Sequence, residues 1–157
     1  MDQEKREEHV SGHRITEKCA HINQLWKLYL EREMSGFGIY QSQCRILMYI
    51  AAHPDASQKE IALAQRVSTA TIAVVLKKLE NGGYISRETS EEDSRFNRIR
   101  VTKKGREVAD GSRRVYLHME EAQFQGFTEE EFRVLDGFLD RIRLNTEYLF
   151  QGKGISW

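Results

Sequence analysis

From about Val10 to Met34 the apolar residues Ile15, Cys19, Ile22, Trp26 and Tyr29 recur at steps of four, three, four and three. That spacing predicts one long amphipathic helix with a coiled-coil-like seam. Ser35-Gly36-Phe37-Gly38 breaks it, and a helix over Gln41 to Ala52 follows, burying Cys44, Leu47 and Ile50 or Ala51. The single proline, Pro54, stops that helix. Ser57-Gln58-Lys59-Glu60 is a capping box that starts a short helix with an inner face of Ile61, Ala62 and Ala64. Val67 is the residue expected to pin the turn after it. A further helix begins at Ser68 or Thr69 and packs Ile72, Val75, Leu76 and Leu79, with Thr69, Ala70, Ala73 and Lys77 outward. Asn81-Gly82-Gly83 ends it, because glycine supplies the left-handed conformation of a helix C-terminus.

Alternation then replaces the helical period. Tyr84-Ile85-Ser86-Arg87 and Arg98-Ile99-Arg100-Val101-Thr102 flank a polar tip over 88–97, the pattern of a two-stranded hairpin. Thr102 caps a long helix to about Gln125 that carries Val108, Val115, Met119 and Ala122 along one side. After Gly126-Phe127, a second capping box at Thr128 and Glu131 opens a last helix, in which Phe132, Leu135, Leu139, Ile142 and Leu149 hold near-heptad spacing. Three long helices thus carry apolar stripes that one small lobe does not cover, and a two-fold dimer buries them economically. The alternative arrangement is an intrachain three-helix bundle. The expected fold class is mainly α with a small β-hairpin.

The helix pair between Ser57 and Tyr84 suggests chemistry. A helix that opens Ser68-Thr69-Ala70-Thr71 presents short hydroxyls and methyls, which approach base edges closely and can bond a base or phosphate or touch a thymine methyl. Composition adjusts this picture in both directions. The chain has 157 residues, 39% hydrophobic and 31% charged, enough for one domain or two lobes with a real core. Its 24 basic and 24 acidic residues cancel, so no global positive field announces nucleic acid. Between Ser57 and Lys104, however, ten Lys or Arg face six Asp or Glu, a local net charge of +4. Basic residues gather on the return of the hairpin at Arg95, Arg98, Arg100, Lys103 and Lys104. Two cysteines do not make a disulfide framework. The charged start MDQEKREEH and the lack of a long apolar run argue against a signal peptide or membrane span and for a cytoplasmic protein.

Ser57-Gln58-Lys59-Glu60-Ile61-Ala62, Leu79-Glu80-x-x-Gly83, Asp93-x-Arg95 and Val101-Thr102-x-x-Gly105 together resemble the MarR (multiple antibiotic resistance regulator) family of winged helix-turn-helix transcription factors, over roughly residues 20–150. The resemblance implies a single MarR-like domain over 1–157: a winged helix-turn-helix lobe at 41–102 and dimerisation helices at 10–34 and 103–150. It implies a homodimeric repressor that binds double-stranded DNA at a pseudo-palindromic operator. The expected DNA-binding residues are Ser57, Ser68, Thr69, Ala70, Thr71, Lys77 and Lys78, with Asp93, Arg95 and Arg98 in the wing, where the family's Arg reaches toward the minor groove. The family's small aromatic or anionic effectors point to Trp26, Tyr29, Tyr40 and Tyr116 as ligand-site candidates. One departure stands out. Val74 occupies a recognition-helix position often held by Arg or another polar residue, so base readout is expected to be thin there and specificity to lean on the helix N-terminus, the wing and DNA shape.

Other functions find less support. No nucleophile with its base, acid pair or phosphate loop can be assembled, so no enzyme and no cofactor are expected. His9, His13, Cys19, His21, His53 and His118 lack the short spacing of a metal site. A peroxide-sensing subgroup of the family has a cysteine whose position, aligned on Arg32-Glu33-Met34, falls near Gln24. Cys19 sits instead on the apolar seam as an inert thiol. A dimeric interaction module that does not bind DNA, or a metal- or redox-sensing variant, is the alternative reading.

Overall fold

The structure is a computed structural model that describes residues 10–89 and 97–150. Contacts along the chain divide it into two units, 1–41 and 42–157. The first unit is built on helix α1 (Gly12–Met34), which starts where Ser11 Oγ accepts the Arg14 N–H at 3.3 Å. A 3-10 turn over Ser35–Phe37 ends at Gly38, whose φ of 73° is left-handed. Leu30 and Met34 are buried, while Ile15, Cys19 and Ile22 of the seam are exposed. Cys19, expected as a buried thiol, is therefore accessible in the single chain.

The second unit follows as α2 (Gln41–Ala52), α3 (Gln58–Gln65), α4 (Thr69–Asn81), β1 (Ile85–Thr89), β2 (Asn97–Val101), α5 (Lys103–Gln123) and α6 (Glu129–Tyr148). The strands form one antiparallel hairpin, with Ile85 opposite Val101 and Thr89 opposite Asn97. Its core collects Cys44, Leu47 and Ile50 of α2, Ile61 and Ala62 of α3, and Ile72, Leu76 and Leu79 of α4. Tyr84, Ile85, Ile99 and Ala109 of α5 complete it. Ala64, expected inside, is exposed: α3 is only eight residues long, and a single turn of Ile61 and Ala62 supplies its whole buried face. Cys44 is buried, and burial pushes its thiol pKa up, partly offset by the neighbouring Ser112 hydroxyl, so the thiolate is disfavoured.

The apolar side of α5 also differs from the expected one. Gly105, Ala109, Gly111 and Ser112 are its buried residues, while Val108, Val115 and Met119 are only half-covered and Ala122 is exposed. The reason is close approach. A Cβ at Gly105 would stand 1.9 Å from the Tyr84 carbonyl oxygen, so only glycine fits where α5 crosses the base of the hairpin. Thr102 caps the same helix by accepting the Gly105 N–H at 3.0 Å, and its hydroxyl donates to the Gly83 carbonyl at 2.7 Å. The turn into α6 holds a cluster of Phe124, Phe127 and Phe132, and Thr128 with Glu131 makes a complete capping box. No residue of α6 is buried.

Because the obstacle at Gly105 is backbone, no rotamer change relieves it. Gly105→Ala should lower the unfolding free energy by about 1–3 kcal/mol, read from the urea midpoint at unchanged m-value.

Candidate nucleic-acid interface

Two short helices and the hairpin behind them form the surface of interest. At the start of α3 the Ser57 N–H donates to Glu60 Oε2 at 2.7 Å, and the Glu60 N–H donates to Ser57 Oγ at 3.2 Å. The Ser57 hydroxyl, and then its backbone N–H, hold the Glu60 carboxyl below its ordinary pKa. The folded state thus favours the carboxylate, and this contribution, complete at neutral pH, is lost as pH falls through Glu60's lowered value. α3 ends at Arg66, whose φ of 54° is left-handed, and the Val67 N–H reaches back to the Ala62 carbonyl at 3.1 Å. Val67 is half-buried at the turn. Gln58 Nε2 donates to the Thr69 carbonyl at 3.0 Å and so ties the two helix starts together.

α4 is capped by Ser68, whose Oγ accepts the Thr71 N–H at 3.1 Å and lies 2.9 Å from Thr71 Oγ1. Its C-terminus closes in a Schellman turn: Tyr84 N–H to the Leu79 carbonyl at 2.9 Å, Gly83 N–H to the Glu80 carbonyl at 2.9 Å, and Gly83 at φ 72°. With Ile72, Leu76 and Leu79 buried, the helix exposes Thr69 at its start and Ala70, Thr71, Val74, Lys77 and Lys78 away from the core. Ala73, expected to look outward, is half-covered, and Val74 takes that place at 57% exposure. From Thr71 to Lys78 this face runs about 10 Å. Methyls and hydroxyls occupy its first half, and two ammonium groups its second.

The basic cluster on the hairpin's return divides by role. Arg100 pairs with Asp55 at 3.9 Å, and Arg87 on β1 pairs with Glu80 of α4 at 3.2 Å. Lys104 donates to the Gly82 carbonyl at 2.8 Å with its ammonium 4.2 Å from the centre of the Tyr84 ring. Arg87 and Lys104 tie the hairpin and α5 to the end of α4, and Arg100 ties β2 to the loop before α3. Arg98 stands on β2 opposite Glu88, but its side chain, like all of Asp93 and Arg95, lies outside the described residues.

Of the four aromatic ligand-site candidates, Tyr116 lines a cleft of about 470 Å³ between α2 and α5. Trp26 and Tyr29 lie on α1, half-buried, with the Arg32 guanidinium 5.6 Å above the Tyr29 ring, and Tyr40 is exposed. The cleft also receives Arg45, Arg106 and Arg113, one carboxylate, Asp110, and the stacked rings of Tyr49 and His53, 4.2 Å apart. Of these the sequence had singled out His53 alone, as a metal-ligand candidate; Arg45, Tyr49, Arg106, Asp110 and Arg113 were missed because they sit on two helices whose polar faces read as solvated. Arg106 is committed, donating to the Ala51 carbonyl at 3.0 Å. Among the described residues no three His, Cys, Asp or Glu groups are placed to hold a metal ion.

A helix, a tight turn, an outward-facing second helix and a hairpin tied to its end define a winged helix-turn-helix protein. The MarR family model matches residues 37–95. The chain is 30% identical over 115 residues to the uncharacterized HTH-type transcriptional regulator YybA of Bacillus subtilis (strain 168), covering 73% of this chain and 77% of that one. The fold matches FabT of Streptococcus pneumoniae in complex with DNA, with a TM-score of 0.73 and 27% identity over 88% of this chain and 99% of that one. It also matches MepR of S. aureus bound to DNA, with a TM-score of 0.73 and 21% identity over 87% and 96%. The chain belongs to the MarR family. Its relatives are transcriptional regulators, not enzymes.

The bonds at the start of α4 separate support from surface. Ser68→Ala removes the cap and should cost about 1 kcal/mol of stability. Thr71→Ala leaves the cap acceptor in place and should stay within about 0.5 kcal/mol. Urea denaturation of the two variants side by side checks the difference.

Proposed function

We propose that the chain is a cytoplasmic, homodimeric repressor that lays α4 in the major groove of a pseudo-palindromic operator and sets the hairpin beside it as a wing. The reading is carried by the outward face of α4, a short-side-chain surface backed by Lys77 and Lys78 and braced against the hairpin through Arg87 and Glu80. The DNA-bound FabT structure, with the same fold over most of the chain, supports it. In this scheme Thr69, Ala70 and Thr71 meet base edges, and Lys77 and Lys78 meet phosphates. Ser57 and Ser68 act at the two helix starts, and Asp93, Arg95 and Arg98 belong to the wing. The charge balance of the whole chain does not oppose this, since association depends on the local field. Among the described residues no helix is long and apolar enough to cross a membrane.

Residues 1–157 then act as one domain, with the winged lobe at 41–102 and dimerisation helices at 10–34 and 103–150. Exposed apolar side chains on those helices motivate the dimer, Leu139 and Ile142 each being about half exposed in the single chain. Leu139→Glu with Ile142→Glu should convert the protein to a monomer in light scattering at micromolar concentration. The same variant should lose most of its affinity for duplex DNA from upstream of its own gene, measured by fluorescence anisotropy. A wild-type chain that is monomeric, or that prefers no duplex over competitor DNA, overturns the reading in favour of a different interaction module.

Relief by a small aromatic acid is assigned to the cleft of Tyr116. Arg45 and Arg113 outnumber Asp110 there, so a carboxylate finds charge-assisted partners and its ring finds Tyr49 and Tyr116. Arg113→Ala should raise the aromatic acid concentration needed to release DNA by about tenfold or more, with DNA affinity in the absence of the acid unchanged.

A further inference from the structure

The middle of the exposed face of α4 holds a residue that neither folding nor phosphate contact explains. Val74 is 57% exposed, with Ala70 and Thr71 one turn before it and Lys77 and Lys78 one turn after. It is β-branched and gains nothing as a helix former at a solvated position. Nor does it join the core, which α4 reaches through Ile72, Leu76 and Leu79.

The face around it lacks what reads most bases. Guanine is commonly read by a bidentate Arg or Lys, and adenine by a bidentate Asn or Gln. From Thr69 to Val74 the outward side chains are only hydroxyls and methyls. The feature of a major-groove edge that apolar groups can tell apart is the 5-methyl of thymine. Short neighbours at Ala70 and Thr71 let the helix backbone approach, so the valine methyls can reach it.

Resting on the DNA-binding reading, we propose that Val74 is a specificity-determining residue that recognises thymine, its methyl groups packing against the 5-methyl of one thymine in each operator half-site. The valine is then not a gap in the readout. It selects one base by burying apolar surface, where an arginine would select another by hydrogen bonds.

Deoxyuridine differs from thymidine in that methyl alone, which makes the proposal directly testable. The full chain is first used to select binding sites from a random 30-base-pair duplex library, an arbitrary length of about three helical turns. Each thymine of the selected duplex is then replaced in turn by deoxyuridine, and Kd is measured for the wild type and for Val74→Ala. Burial of one methyl corresponds to about a fourfold change in Kd. One symmetry-related thymine pair should therefore weaken wild-type binding by about fourfold per replaced half-site. The same replacement should have no effect in Val74→Ala, whose thermal midpoint should be unchanged or slightly raised because alanine favours the helix. Deoxyuridine penalties that are absent everywhere, or equal in wild type and Val74→Ala, overturn the assignment while leaving DNA binding intact. Failure of the library to yield any preferred sequence overturns the DNA reading itself, and this proposal with it.

Discussion

The approach of α5 to the Tyr84 carbonyl is the constraint on which the rest of the lobe depends. At that point the end of α4, the first strand of the hairpin and the start of α5 meet within a few residues, and glycine at 105 is what lets them meet. Three contacts then lock the junction: the Thr102 N–H to the Tyr84 carbonyl at 3.1 Å, the Thr102 hydroxyl to Gly83, and the Lys104 ammonium to Gly82 and the Tyr84 ring. The Lys104 bond satisfies the carbonyl of the α4 cap residue, and the two Thr102 bonds satisfy the carbonyls of Gly83 and Tyr84 just beyond it. The orientation of α4 is therefore tied to the start of a long helix and to the hairpin at once. Any rotation of α5 would be felt where α4 ends.

The same economy governs the helix starts. An eight-residue helix such as α3 is too short to be stable alone, and it persists because a capping box, the left-handed Arg66 and the bond from Gln58 to Thr69 fasten both ends. Those interactions occupy Ser57 and Ser68 with structural tasks. What remains outward on α4 is a surface of short groups whose chemistry is largely apolar, with its positive charge held a turn away.

The long helices tell a complementary story. α6 buries nothing within its own chain and α1 buries only Leu30 and Met34, yet both keep regular apolar stripes. A solvent-facing helix has no physical reason to hold such a stripe. Along α5, by contrast, small residues face inward, Gly105 against the base of the hairpin, and arginines line an open cleft beside α2.

Helix positions and their ends were legible in the sequence because they depend on local chemistry. Ser57, Ser68, Thr102 and Thr128 cap helices, Gly83 turns a helix end, and alternation marks the hairpin; each is an interaction among residues a few positions apart. Which side of a helix faces inward was less legible. Ala64 turned out exposed, Ala73 yielded its outward place to Val74, and α5 packs through its smallest residues in place of Val108 and Val115. Periodicity weighs residues by hydrophobicity, whereas a close helix crossing selects for lack of volume, and that need is visible only once the opposing backbone is in place. The division of the basic residues into tethers such as Arg87, Arg100 and Lys104 and the outward cations of α4 has the same origin. Charge can be counted along the chain, but its partner is brought near only by the tertiary fold.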